Sequence, residues 1–215
     1  MNNLQKRILT SLIILPLSIF FVFKGGNLLL LFLFVVFFTA NYELFLAFNK
    51  KIIIILLDLL LILSLFFIYS LRETGLDSHP LIFRETFLLL LWVIILCVCS
   101  DLGGYIFGKI FKWKQLTKIS PNKTLSGVLG SFLFSIFSLF IINVYAPNHI
   151  INFLEAKFFL LAILFSLVAQ VGDLTISYFK RLEKIKDTGK ILPGHGGIFD
   201  RIDGLMFVII FTFVF

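Results

Sequence analysis

The side chains best suited to chemistry lie close together near the end of the 215-residue chain. Lys180 and Arg181 are followed by a run of Pro, Gly and His at 193–197, and then by two acids, Asp200 and Asp203. Glycines let backbone N–H groups approach an anion closely, and acids three residues apart share one face if a helix begins there. This pattern indicates a site for phosphate and a divalent metal ion.

Four further acids fall inside or at the ends of apolar stretches: Glu43, Asp58, Asp101 and Asp173. A charge in hydrocarbon costs about 2.5–3.5 kcal/mol, so each acid needs a partner or a function. Asp101 and Asp173 lie next to long basic loops, where a cation or a lysine can neutralise them. Asp58 is better explained as a structural partner inside the bundle, and Glu43 could equally belong to an interfacial girdle.

The composition excludes a soluble domain. Of all residues 60% are hydrophobic, 17% are aromatic and 14% are charged, and the mean hydropathy is +1.06. Soluble domains average about 45–50% apolar and about 25% charged residues. We therefore expect an integral membrane protein. The two cysteines, Cys97 and Cys99, lie within one apolar run, so no disulfide framework is expected.

The apolar stretches predict the architecture, because a spanning helix needs about 20 mostly apolar residues. We expect one all-α domain over 1–215, a polytopic membrane helix bundle with about seven transmembrane helices. Residues 1–85 would form the N-terminal spans, and 86–215 would carry the candidate site. The predicted spans are 8–23, 28–48, 52–70, 86–107, 126–145, 156–177 and 202–215. Their connections include a tight turn at 48–51, a solvated loop at 71–85, and two loops long enough for a site, at 108–125 and 178–201.

Basic residues predict the orientation, because cytoplasmic loops carry an excess of Lys and Arg. All of the 19 Lys and Arg residues except Lys24, Arg72, Arg84 and Lys157 fall on one side of this layout. The N-terminus is therefore expected to be cytoplasmic. Orientation and a surface for an anionic ligand explain the net charge of +7, so no nucleic-acid partner is expected.

The segment from Ser177 to Asp203 resembles the pattern of the phosphatidate cytidylyltransferases, also called CDP-diacylglycerol synthases. At the same spacing it has Ser-x-hydrophobic-Lys-Arg, Lys-Asp, Leu-Pro-x-His-Gly-Gly and Asp-Arg-hydrophobic-Asp. A second stretch resembles the upstream loop of that family, with Asp101, Tyr105, Gly108, Lys109, the run from Ser120 to Thr124, and Gly127. Many members have Glu at two positions where this chain has Ser126 and Ile176, so a large carboxylate cluster is not expected.

The resemblance implies a single cytidylyltransferase domain that transfers a cytidylyl group from CTP to phosphatidate, giving CDP-diacylglycerol and pyrophosphate. The nucleophile would be a phosphate oxygen that is ionised near neutral pH, so no strong general base is needed. The implied catalytic residues are Asp173, Lys180, Arg181, His195, Asp200 and Asp203. The implied phosphate-binding and nucleotide-binding residues are Ser120, Lys123, Thr124, Gly196, Gly197 and Arg201. The implied cofactor is Mg²⁺, held by Asp173, Asp200 and Asp203.

Several roles stay open at this point. Thr124 and Ser126 alternatively cap the helix that begins near Gly127. His195 is a hydrogen-bond donor to phosphate, an acid that protonates the leaving group, or a residue that stabilises the turn. The first role is favoured. Asp187 either braces its loop by pairing with a lysine or takes part in catalysis.

Three other classes of protein are compatible with the sequence: a CTP-dependent lipid or polyprenol kinase, a multi-pass transporter, and a catalytically silent scaffold. The implied partners are CTP, phosphatidate and membrane lipids, with a homodimer left open. The implied location is the inner (plasma) membrane of a bacterial cell, with the active site on its cytoplasmic face.

Overall fold

The computed structural model describes residues 3–74, 80–117, 119–146, 151–192 and 196–213. Within these ranges the chain forms α1 (Asn3–Lys24), α2 (Gly26–Ala47), α3 (Lys51–Glu73), α4 (Pro80–Phe111), α5 (Leu125–Tyr145), α6 (Ala156–Leu182) and α7 (Phe199–Thr212). Extended pairing in the same ranges is limited to two isolated bridges, Gln115 with Thr124 and Leu192 with Gly196. The prediction of an all-α chain is confirmed.

Five helices of the described part of the chain, α2 to α6, are long and apolar enough to cross a membrane. The chain is therefore an integral membrane protein. The first and last helices are not among these five, and α7 has only 14 residues. The number of spans and the cytoplasmic N-terminus accordingly stay predictions.

Several helices run further than the predicted spans. α4 begins at Pro80 and ends at Phe111, whereas the sequence predicted a span over 86–107. The predicted solvated loop at 71–85 is therefore shorter, since α3 continues to Glu73. The turn at 48–51 is confirmed, because α2 ends at Ala47 and α3 begins at Lys51.

The outward faces of the helices are apolar. Phe45 is 66% exposed, and Ile52 and Val144 are each 80% exposed. Large apolar side chains in such numbers are stable against lipid tails rather than against water. The bundle thus presents a hydrocarbon-compatible surface and keeps its polar groups inside or at its ends.

At the end of the bundle away from the candidate site, polar contacts join α1, α2 and α3. The chain reverses at Gly25, whose φ of 64° favours glycine. Arg72 Nε donates to the carbonyl oxygen of Val22 at 2.6 Å, and Glu73 Oε1 accepts from the N–H of Gly26 at 2.7 Å. Side chains of α3 therefore satisfy backbone groups that the ends of α1 and α2 leave without helical partners.

α4 and α5 form the most extensive helix pair. A Cβ atom on Gly103 would collide with the carbonyl oxygen of Gly130, and the reverse holds for a Cβ atom on Gly130. Small residues let transmembrane helices approach this closely. Buried serines extend the contact to α6, because Ser131 Oγ donates to the Ser100 carbonyl at 2.8 Å and the Ser100 and Ser166 hydroxyls lie 2.8 Å apart.

Among the described residues, two clusters of buried apolar side chains fill the bundle. The larger one surrounds Trp92, which is fully buried. The smaller one joins α2, α3, α6 and α7 and includes Leu57, Ile176 and Phe199. Because Phe199 is the first residue of α7, this second cluster fixes the start of the helix that carries Asp200.

Candidate active site

One face of α6 carries Asp173, Ser177 and Lys180 toward one end of the bundle. Their spacing of four and three residues places them one above the other on a helix. Ser177 Oγ donates to Asp173 Oδ1 at 3.2 Å, and Lys180 is buried. The sequence predicted that Lys180 and Arg181 lie in a loop, but α6 continues to Leu182, so both belong to its last turn.

Asp200 lies in the first turn of α7, and its carboxylate accepts hydrogen bonds from three groups of the protein. Its Oδ1 accepts from Lys180 Nζ at 3.0 Å. Its Oδ2 accepts from the backbone N–H groups of Thr188 at 2.9 Å and Gly197 at 3.0 Å. The Lys180 and Asp200 side chains are only 9% and 3% exposed, and a buried ion pair needs such additional hydrogen bonds to offset its desolvation. Asp200 therefore orients the Lys180 ammonium and fastens the loop before α7.

Asp203 lies about one turn further along α7. Its Oδ2 is 3.9 Å from Lys180 Nζ, and its Oδ1 accepts from the N–H of Gly204 at 2.8 Å. Asp203 also lies within electrostatic range of Asp173 and Asp101. In the ranges that the structure describes, no three His, Cys, Asp or Glu side chains converge to hold a metal ion by themselves. Water or phosphate oxygens would have to complete the coordination of a metal here.

The loop between α4 and α5 reaches α6 through Lys123. Lys123 Nζ lies 2.5 Å from Asp173 Oδ2, and the two side chains are 26% and 33% exposed. Backbone hydrogen bonds shape this loop, since the N–H of Leu116 donates to the Lys123 carbonyl at 2.8 Å and the N–H of Lys123 donates to the Ser120 carbonyl at 3.0 Å. Ser120 thus forms the turn that presents Lys123.

Thr124 is the N-cap residue of α5. Its Oγ1 accepts from the N–H of Gly127 at 3.1 Å and lies 3.0 Å from the hydroxyl of the buried Ser126. The capping interpretation of Thr124 is confirmed, whereas its role in phosphate binding stays a prediction. Ile176, the other departure from the family pattern, is fully buried in the smaller apolar cluster and serves packing.

Arg181 connects the two loops that the sequence singled out. Its Nε donates to the carbonyl of Ile119 in the α4–α5 loop at 3.3 Å, and its Nη1 donates to the carbonyl of Ile185 in the α6–α7 loop at 2.7 Å. The rest of the side chain is exposed. Arg181 therefore holds the two loops together while its guanidinium remains accessible to an anion.

Leu192 and Gly196 pair with each other before the start of α7. The N–H of Leu192 donates to the Gly196 carbonyl at 3.0 Å, and the φ of Gly196 is 86°, a value that side chains rarely adopt. The N–H of Gly197 is engaged with Asp200. The predicted residue His195 lies outside the described residues, as do the two residues before it.

Arg201 completes the predicted set at this end of the bundle. It is exposed, it directly follows Asp200, and it lies within electrostatic range of Asp101. Both predicted loops and the acids of α6 and α7 therefore meet in one place. The resulting surface has cationic side chains beside acids, an arrangement suited to binding phosphate groups together with a cation.

Glu43 of α2 also reaches this end of the bundle, although it was not among the predicted site residues. It is 2% exposed, and its Oε2 accepts from the N–H of Phe199 at 3.1 Å. Glu43 therefore does not belong to an interfacial girdle. A lone acid in an apolar helix was the only signal in the sequence, and it could not identify a partner 156 residues away.

The model of the cytidylyltransferase family matches residues 62–215. Among curated relatives, the phosphatidate cytidylyltransferase of Staphylococcus epidermidis is 41% identical over 121 residues, which are 56% of this chain and 45% of the relative. The enzyme of the same name from Helicobacter pylori is 43% identical over 119 residues, or 55% of this chain and 43% of the relative. That of Staphylococcus aureus is 39% identical over 146 residues, or 66% and 50%.

The chain spans about half the length of the curated relatives that it matches. The matched part contains α4 to α7 and thus Asp173, Lys180 and Asp200. Since the family model covers well over half of the 215 residues, the chain belongs to the cytidylyltransferase family.

Proposed function

We propose that this chain transfers the cytidylyl group of CTP to phosphatidate, forming CDP-diacylglycerol and releasing pyrophosphate. The observation that carries the proposal is the presence of two Lys–Asp contacts at one end of the bundle, one partly exposed and one buried. Cations held beside acids suit a reaction that must bring two polyanions together. The name shared by the relatives, phosphatidate cytidylyltransferase, supports the same reaction.

In this reaction a phosphate oxygen of phosphatidate attacks the α-phosphorus of CTP. The new P–O bond forms while the bond to the β-phosphate breaks, and pyrophosphate leaves. Because the nucleophile is already ionised near neutral pH, the protein has to supply positioning and charge stabilisation rather than a strong base. Lysine and arginine side chains at the site meet that requirement.

Lys123 is the residue that we assign to the first contact with CTP. Its pair with Asp173 is partly exposed, so triphosphate oxygens can replace the carboxylate at a small desolvation cost. Asp173 would then be free to face a cation. Nucleotide binding would thus free the Asp173 carboxylate to hold a cation next to the triphosphate.

Lys180 has a different role, because its pair with Asp200 is buried and fixed. We assign its ammonium to stabilising the phosphate charge that develops during transfer. Arg181 lies next to it with an exposed guanidinium, whose planar fork is suited to two oxygens of the phosphatidate head group. Arg201 would provide a further positive charge at the entrance.

Mg²⁺ fits the acids at this end of the bundle if phosphate oxygens complete its coordination. We assign Asp173 and Asp203 to it, because the two carboxylates lie within electrostatic range of each other. Asp200, the third predicted ligand, would first have to release Lys180. When bound, the ion would neutralise phosphate charge and stabilise the leaving pyrophosphate.

We place the reaction at the cytoplasmic face of a bacterial inner membrane. Phosphatidate keeps its acyl chains in lipid while CTP is soluble in water, so their phosphates must meet at the membrane boundary. The basic loops fit the face that attracts Lys and Arg, and the relatives are bacterial. A homodimer stays a prediction.

Labelled CTP tests the proposal. Membranes that contain the chain are incubated with phosphatidate, Mg²⁺ and CTP labelled at either the α- or the γ-phosphate. We expect the α-label in CDP-diacylglycerol and the γ-label in pyrophosphate. The γ-label in a lipid monophosphate would instead identify a lipid kinase. If neither label is transferred to lipid, a transporter or a silent scaffold would remain.

A further inference from the structure

Glu43 holds the start of α7 from a different helix. Its Oε2 accepts from the N–H of Phe199 at 3.1 Å. Ile198 is the N-cap residue of α7 and provides no side-chain cap. The first N–H groups of any helix lack partners within that helix. Glu43 thus supplies from α2 the acceptor that the N-cap residue of α7 does not provide.

The α6–α7 loop is shaped around this carboxylate. A Cβ atom on Gly189 would collide with the Glu43 side chain, and a Cβ atom on Gly197 would collide with Glu43 and lie 2.6 Å from Thr188 Oγ1. Glu43 is 2% exposed. Gly189 and Gly197 therefore both pack against one acid of α2.

The same backbone segments hold Asp200. Thr188 and Gly197 donate their N–H groups to Asp200 Oδ2 at 2.9 and 3.0 Å. Phe199, which donates to Glu43, directly precedes Asp200 in α7. The backbone groups that orient Asp200 are thus fixed on their other side by Glu43, and Asp200 in turn orients Lys180.

We propose that Glu43 is a positioning residue of this active site, whose carboxylate holds residues 188–189 and 197–199 against α2 and so fixes the orientation of Asp200 and Lys180. The inference rests on the proposed function, to which it adds a residue. The match to the family model starts at residue 62, so Glu43 lies outside it. α2 therefore contributes to the geometry of the site as well as to the membrane bundle.

Three variants test this role in the full chain. Glu43→Gln keeps the size of the side chain and one carbonyl acceptor, whereas Glu43→Ala removes both acceptors. Glu73→Gln is the matched control, because Glu73 Oε1 accepts from the N–H of Gly26 at 2.7 Å and so holds the start of α2 at the opposite end of the bundle. The measured quantities are kcat and KM for CTP, together with the apparent melting temperature in detergent.

We expect kcat to fall about tenfold in Glu43→Ala and about threefold in Glu43→Gln, with KM for CTP changed less than about twofold. Glu73→Gln should keep kcat within about twofold of the wild type, whatever its melting temperature. Partial retention in the conservative variant and the separation of kcat from KM distinguish positioning from a general loss of stability. Unchanged kcat in both Glu43 variants would overturn the inference. Should Glu43→Ala fail to accumulate, Glu43→Gln alone decides.

Amide hydrogen exchange provides a measurement that does not depend on activity. Faster exchange at Thr188, Gly197 and Phe199 is expected in Glu43→Gln but not in Glu73→Gln. Unchanged exchange at these three amides would show that Glu43 does not hold the loop. If the wild type transfers no label from CTP to lipid, the proposed function fails, and the exchange comparison still decides whether Glu43 fixes this segment.

Discussion

The Lys180 ammonium and the Asp200 carboxylate form an ion pair with 3.0 Å between Nζ and Oδ1, and both side chains are almost completely buried. The pair joins the last turn of α6 to the first turn of α7. Neither charge is well solvated, so each depends on the other for its stability. This dependence makes the pair a rigid part of the site, in contrast to the partly exposed pair of Lys123 and Asp173.

Asp200→Asn keeps the volume of the side chain and removes its charge. We expect CTP-dependent turnover to fall at least about a hundredfold without loss of membrane insertion, because Lys180 loses its counterion and its fixed direction. The free energy of unfolding should fall by about 3 kcal/mol, as is usual when one partner of a buried pair is removed. Turnover and thermal unfolding in detergent check these two effects.

Asp58→Asn is the control for Asp200→Asn. Asp58 lies on α3 and its Oδ1 accepts from Asn41 Nδ2 at 2.8 Å, so this variant also changes an acid inside the bundle. We expect it to keep near-normal turnover because Asp58 belongs to the contact between α2 and α3. Near-normal turnover of Asp200→Asn would remove Asp200 from the site.

Lys123→Ala should separate binding from stability. A partly exposed ion pair contributes about 0–1 kcal/mol, so the melting temperature should change little. If Lys123 contacts the triphosphate, KM for CTP should rise about tenfold, which corresponds to one lost charge-assisted hydrogen bond. Lys157→Ala is the control, since Lys157 pairs with Glu155 at 2.8 Å at the other end of α6. Equal effects of the two substitutions on KM would contradict the assignment of Lys123.

Two predictions that depended on local pattern are confirmed, the all-α membrane architecture and the Thr124 cap, whereas the number of spans stays a prediction. Apolar runs predicted the all-α membrane architecture, and the residue types around Gly127 predicted the Thr124 cap. The helix ends were less accurate, because the last turn of α6 carries the polar Lys180 and Arg181 and so looked like loop. Burial of Lys180 against α7 stabilises that turn, and a count of apolar residues cannot detect such a contact.

The sequence could not predict which side chains of the site contact each other. The pattern singled out Lys180, Asp200 and Asp203 but could not show that Lys180 forms a buried ion pair with Asp200. Glu43 was visible as an acid in an apolar helix, yet its contact with Phe199 depends on how α2 packs against α7. Such contacts follow from tertiary packing and produce no recognisable residue spacing in the sequence.

The assignment of Asp203 to Mg²⁺ predicts a change in metal dependence. A chelator such as EDTA should abolish turnover, and added Mg²⁺ should restore it. Changes outside the first ligand shell already weaken metal binding by about 10–100-fold, so Asp203→Asn should raise the half-saturating Mg²⁺ concentration by at least about tenfold. Asp58→Asn should leave that concentration unchanged. The same half-saturating concentration in Asp203→Asn and wild type would exclude Asp203 as a ligand.

Gly189→Ala tests the contact with Glu43 from the loop side. The three atoms nearest to a Cβ at position 189 all belong to Glu43, and the backbone at 189 is not in the left-handed region. We therefore expect Gly189→Ala to lower kcat about tenfold in the wild-type chain and to cause no further loss in Glu43→Ala, which removes the colliding atoms. A Glu73→Ala background, which leaves Glu43 in place, should show the full loss. Equal losses in the two backgrounds would mean that Gly189 acts through something other than Glu43.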